Sequence, residues 1–122
     1  MIELTNSVAQ VVQPGQSVAF NTVVLHTGCG ECYRRNTPSI KLRANGIYEV
    51  AFSGNITGST AATPVQLAIA LGGIALPETV MVSTPATANA FSNVATSTFV
   101  QNTCGDFDRV TVVNSGTEPV TI

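Results

Sequence analysis

The run 46-GIYEVAFSGNIT-57 decides the fold. Tyr48, Val50, Phe52 and Ile56 fall on one parity, with Glu49, Ala51, Ser53 and Asn55 between them. Successive side chains of an extended chain point to opposite faces, so this run reads as a strand with one dry and one wet face. The same period appears in 65-VQLAIAL-71, where Val65, Leu67, Ile69 and Leu71 point one way and Gln66, Ala68 and Ala70 the other. Residues 16–25 (QSVAFNTVVL), 39–43 (SIKLR), 95–101 (ATSTFVQ) and 108–114 (DRVTVVN) alternate similarly, with both faces partly apolar in places. No segment sustains a helical stripe at i, i+3, i+4, i+7, so helix is expected to be minor or absent.

Turn residues separate these runs. Asn45-Gly46 predicts a hairpin between 39-SIKLRA-44 and 47-IYEVAF-52, because both central positions of a tight hairpin turn need positive φ. Gly72-Gly73, Pro14-Gly15 and 114-NSG-116 punctuate the chain in the same way, and 83-STPATANAFSN-93 is the longest weakly patterned connection. Many short strands at such spacing predict an all-β protein, an antiparallel β-sandwich or small barrel. With 122 residues, no repeat and no linker, residues 1–122 are expected to form a single domain.

Composition narrows the function. Charged residues are 10% of the chain and the net charge is −2, against roughly 25% charged in an ordinary soluble domain. That leaves no electrostatic footprint for nucleic acid; Arg34, Arg35, Lys41 and Arg43 read as a solvated face. The opening MIELTNSVAQ has neither the basic nor the apolar region of a secretory leader. No apolar run approaches the roughly 20 residues that span a bilayer, so no membrane partner is expected.

In order, 18-VAFNTVVLHTG-28, 39-SIKLRANGIYEVAFSGNIT-57, 65-VQLAIALGG-73 and 104-CGDFDRVTVVN-114 resemble the trimeric jelly roll of tumour necrosis factor-like and complement C1q-like domains. The carrying pieces are Gly46-x-Tyr48-x-Val50-x-Phe52 and Gly105-Asp106 before a Val-rich strand. The likeness is nearer to short C1q-like proteins encoded by bacteria and their phages. It implies a homotrimer with inner strands around a threefold axis, made in the bacterial cytoplasm and placed on a virion surface. That family ends with an apolar strand in the middle of its inner sheet, whereas here only 118-EPVTI-122 remains. Either 119-PVTI-122 takes that place, or the domain is a shortened variant, or another chain fills the gap.

The chemically richest run is 26-HTGCGECYRR-35. His26, Cys29 and Cys32, completed by Cys104, could form the Cys₃His set that holds structural zinc. Alternatively Cys29 or Cys32 pairs with Cys104 as a disulfide, leaving one thiol, or all three are reduced thiols packed as small apolar side chains. A thioredoxin-like role needs a βαβ setting that this chain lacks. Asp106 and Asp108 read as turn residues that accept backbone N–H groups, with Arg109 a surface partner. No base other than His26 stands ready to activate a nucleophile, and neither phosphate-loop nor dinucleotide motifs occur. No enzyme activity and no cofactor beyond that zinc are therefore expected. Sugar binding has little support from the sequence, Tyr33 being the one aromatic placed in an exposed loop.

The expected function is a non-enzymatic structural surface module: a virion component, either capsid decoration or a head-fibre protein, whose partners are its own copies and capsid proteins. The alternative is the head of a bacterial or phage adhesin that binds a host receptor or glycan.

Overall fold

The computed structural model describes residues 2–26, 31–33, 39–42, 46–102 and 108–122. They form twelve strands: β1 (Ile2–Thr5), β2 (Val11–Val12), β3 (Thr22–His26), β4 (Glu31–Tyr33), β5 (Ile40–Leu42), β6 (Gly46–Ile56), β7 (Val65–Leu71), β8 (Ile74–Ala75), β9 (Met81–Ser83), β10 (Ser92–Asn102), β11 (Asp108–Val113) and β12 (Val120–Thr121). One 3-10 turn, Pro77–Thr79, is the sole helical element among the described residues. No described helix is long and apolar enough to cross a membrane.

Every strand pairing among the described residues is antiparallel. One sheet runs β4-β5-β11-β7-β8, with β9 also on β7. Facing it, β2 pairs with β12 and β6 with β10. Reciprocal backbone bonds between Thr57 and Thr121, at 2.9 and 2.8 Å, join β12 to the end of β6. The second layer therefore reads β2-β12-β6-β10. This is an antiparallel β-sandwich with jelly-roll strand order.

The layers meet in two apolar clusters. In the first, Val12, Ile56 and Val120 from one layer pack with Val65, Leu67, Met81 and Val112 from the other. In the second, Leu42, Ile69 and Val110 meet Val100 of β10, flanked by Tyr48, Val50 and Leu71. Burial along β6 alternates residue by residue, as the opening run requires. The question of the last strand is answered within the chain. Val120 lies opposite Val12 in β12·β2, so 119-PVTI-122 supplies the strand between β2 and β6.

Three expectations need correction. Asn45-Gly46 does not join a hairpin: β5 pairs with β4 and β11, β6 pairs with β10, and the two belong to opposite layers. A two-residue turn motif specifies local curvature, not which sheet the next strand enters. Second, 16–25 is not one strand. A turn at Pro14-Gly15, with Gly15 at φ 82°, leads to a single bridge between Ser17 and Val113 before β3 starts at Thr22. Third, β7 is buried on both parities, Ala68 and Ala70 as fully as Leu67 and Ile69. It has β11 along one edge and β8 and β9 along the other, and Leu76 and Thr79 bond Ile69 between these two. The Gly72-Gly73 expectation holds, with φ 61° and 86° turning β7 into β8 as a two-residue hairpin.

Candidate functional site

The backbone of His26 ends β3, opposite Ile2, while Cys32 lies in β4 opposite Lys41 of β5. These strands belong to different sheets. Cys29 and Cys104 lie outside the described residues, as do Arg34, Arg35, Arg43, Asn45 and Asp106. Among the described residues no group of three His, Cys, Asp or Glu converges. Tyr33, expected in a loop, is a strand position opposite Ile40.

Two surfaces that no sequence motif marks are better defined. The first is the outward face of β6·β10. Register places Ile47 opposite Gln101, Glu49 opposite Phe99, Ala51 opposite Ser97, Ser53 opposite Ala95 and Asn55 opposite Asn93. All ten are exposed, and only Glu49 is charged. The small residues at its centre leave an open depression of about 460 Å³, lined by Ala51, Phe52, Ser53, Ala95, Thr96 and Ser97. Ile47 and Phe99 stand at one end of this face, 68% and 70% exposed.

The second surface is one end of the sandwich, where the loops 58–64, 84–91 and 114–119 gather. Ala62 N–H donates to Pro85 O at 2.8 Å, and Asn89 N–H to Gly58 O at 3.0 Å. Thr57 Oγ1 donates to Ala90 O at 2.8 Å. Gly58 is required here, because a Cβ would stand 2.8 Å from Val65 Cγ1. A narrow notch lined by Ser59, Thr60, Thr63, Glu118 and Pro119 brings in the third loop. Ala62 and Asn89 adopt positive φ, 60° and 62°, a conformation that surrounding bonds must hold for residues with a Cβ. On this braced end Ser59, Thr60, Thr84, Thr87 and Asn89 are exposed, and Phe91 beside them is 55% exposed.

Hydroxyls, amides and an aromatic ring can donate, accept and stack, so this surface is suited to non-covalent recognition. Phe91 and Phe99 were legible as aromatic, but not as exposed. Phe91 sits in the weakly patterned connection, and Phe99 adjoins Val100, so period two alone cannot say which of that pair faces inward.

No family model and no curated protein matches the chain. Among solved structures it is similar to a family 35 carbohydrate-binding module from Clostridium thermocellum. The two share 14% identity over 94% of each chain, with a TM-score of 0.38. At that level the likeness extends to neither ligand nor mechanism.

Proposed function

We propose that this protein is a non-enzymatic recognition module, the head of a bacterial or phage surface protein, which meets a host receptor or glycan through the loop end of the sandwich. The observation that carries this reading is Phe91, held open to solvent among exposed hydroxyl and amide side chains on loops tied to one another. An exposed ring offers a flat apolar face to a sugar's C–H groups, while the neighbouring polar groups meet its hydroxyls. Bracing limits the ordering entropy that binding would otherwise cost.

The working unit is a homotrimer of the tumour necrosis factor-like and C1q-like kind. The layers β2-β12-β6-β10 and β4-β5-β11-β7 support that resemblance, as does the position of β12. The β6·β10 face supports assembly, since Glu49 is the one charge among its outward residues that burial would have to desolvate. The test is a glycan array and host-cell binding by labelled protein. Binding should fall about tenfold or more in Phe91→Ala with the circular dichroism unchanged; failure of the wild type on both platforms would sink the reading.

A second reading is the virion decoration or head-fibre protein. It draws on the resemblance to short phage-encoded modules and on the exposed apolar side chains of Val8 and Val11, which a capsid surface could cover. It places the protein on the virion, with capsid protein as partner. Co-sedimentation with capsids, without any glycan retained, would favour this reading over the first.

A further inference from the structure

We infer that the loop end of the sandwich selects uncharged oligosaccharides over acidic ones, and that Glu118 sets this preference. The inference rests on the recognition reading above and names the ligand class of that same site.

Hydrogen bonds fix how the loops lie against one another. Thr57 shares reciprocal backbone bonds with Thr121 on one side, and its Oγ1 donates to Ala90 O on the other. Gly58 O accepts from Asn89 N–H next to that bond. The segments 118–121, 57–60 and 89–91 therefore run side by side, with 57–60 in the middle. Neighbouring extended segments lie about 4.8 Å apart, so Phe91 and Glu118 are separated by roughly 10 Å or more. That span exceeds one pyranose ring, and a sugar ligand that touches both is an oligosaccharide.

Glu118 lines the notch with Ser59, Thr60 and Thr63. Its backbone is held in place, since its carbonyl accepts from the Nδ2 of buried Asn114 at 2.8 Å. Among the described residues, its carboxylate makes no hydrogen bond or ion pair. An ionised carboxylate only accepts, and its two oxygens take two donors at once. Adjacent hydroxyls of a sugar offer that pair, and a hydrogen bond to a charged acceptor is roughly twice as strong as one between neutral groups. The neighbouring Ser and Thr hydroxyls donate or accept as a further sugar hydroxyl requires.

Charge settles which sugars are refused. Residues 58–64, 84–91 and 114–119 include Glu118 and no Lys, Arg or His. Lys41 and Arg109, the basic residues among those described, lie opposite each other where β11 begins, whereas the loop 114–119 leaves the end of β11. An acidic sugar brought to the notch meets a like charge, and these loops hold no cation to offset it. Two like charges about 4 Å apart in water weaken binding about fivefold.

The test is a printed array in which each neutral oligosaccharide stands beside its sialylated or sulfated form, probed with the whole chain at low and at about 0.5 M salt. Wild type should favour the neutral member by about fivefold or more at low salt. The ratio should shrink at high salt, where the Debye length falls below roughly 5 Å. Glu118→Gln, which is nearly isosteric, should bind the neutral member about tenfold less well and bring the ratio toward one. Phe91→Ala should weaken both members alike and leave the ratio as it is. The salt series needs no variant, so it decides even where Glu118→Gln loses its β-sheet dichroism. Acidic members bound as tightly as neutral ones, or a preference unchanged by salt or by Glu118→Gln, overturns the inference and leaves recognition through Phe91 standing. Host-cell binding with no array member bound overturns it too, since the ligand is then not a glycan. Failure of the wild type on both cells and array overturns the recognition reading and this inference with it.

Discussion

Asn114 is uncharged but almost wholly out of water, and it binds parts of the chain that are distant in sequence. Its Nδ2 donates to Val12 O at 2.9 Å and to Glu118 O at 2.8 Å, while Oδ1 accepts from Gly116 N–H at 3.0 Å. Asn114→Leu would take this partner from the buried Val12 O and from the part-buried Glu118 O and Gly116 N–H, and a buried group left unsatisfied costs about 1–3 kcal/mol. We expect about 3 kcal/mol of destabilisation by urea unfolding, among the largest effects of any single change. Thr79 is a smaller case of the same kind. Its Oγ1 donates to Leu76 O at 2.8 Å and accepts from Ile69 N–H at 3.0 Å, so the near-isosteric Thr79→Val should cost about 1–2 kcal/mol in the same assay. Little of this is legible in the sequence. Asn114-Ser115-Gly116 reads as a turn there, and it is one, but nothing local shows that its amide reaches Val12.

At the scale of elements, side-chain parity was legible wherever one face of a strand is wet. β6 follows its pattern through its whole length. Leu67, Ile69, Val110 and Val112 are buried, and Phe20, Tyr48, Val50, Phe52 and Leu71 pack at the margin of the core. Parity misleads where a strand has neighbours along both edges and cover on both faces, as β7 does. Pairing was less legible still. The dipeptide Asn45-Gly46 carries no information about the partner strand, which is set by how the two layers share their apolar faces. Leu67, fully buried at the centre of the first cluster, should cost about 3–5 kcal/mol as Leu67→Ala, read from the shift in denaturant midpoint. Gly73 lies at φ 86°, and a Cβ added there would meet nothing within 4 Å. Backbone conformation alone limits that position, so Gly73→Ala should cost only about 1 kcal/mol.

For the molecule as a whole, low charge decides how assembly should respond to conditions. An interface held by apolar burial is weakly screened by salt. The mass of the assembled protein should therefore be unchanged between low and about 0.5 M salt, where the Debye length falls below roughly 5 Å. Its melting temperature should rise with protein concentration, as linkage requires for a species bound only when folded. A melting temperature independent of concentration would argue for a working monomer. The placement of β12 has a consequence for how the molecule comes into being. The strand that closes the gap between β2 and β6 follows both of its neighbours in the chain, by more than sixty residues in the case of β6. While a ribosome is still translating, Val12 and Ile56 have no lid, and the nascent chain must carry an unsealed interior until Val120 leaves the exit tunnel. Native structure is then gained only once β12 is in place, which makes the interval before its emergence the period when chaperones matter most.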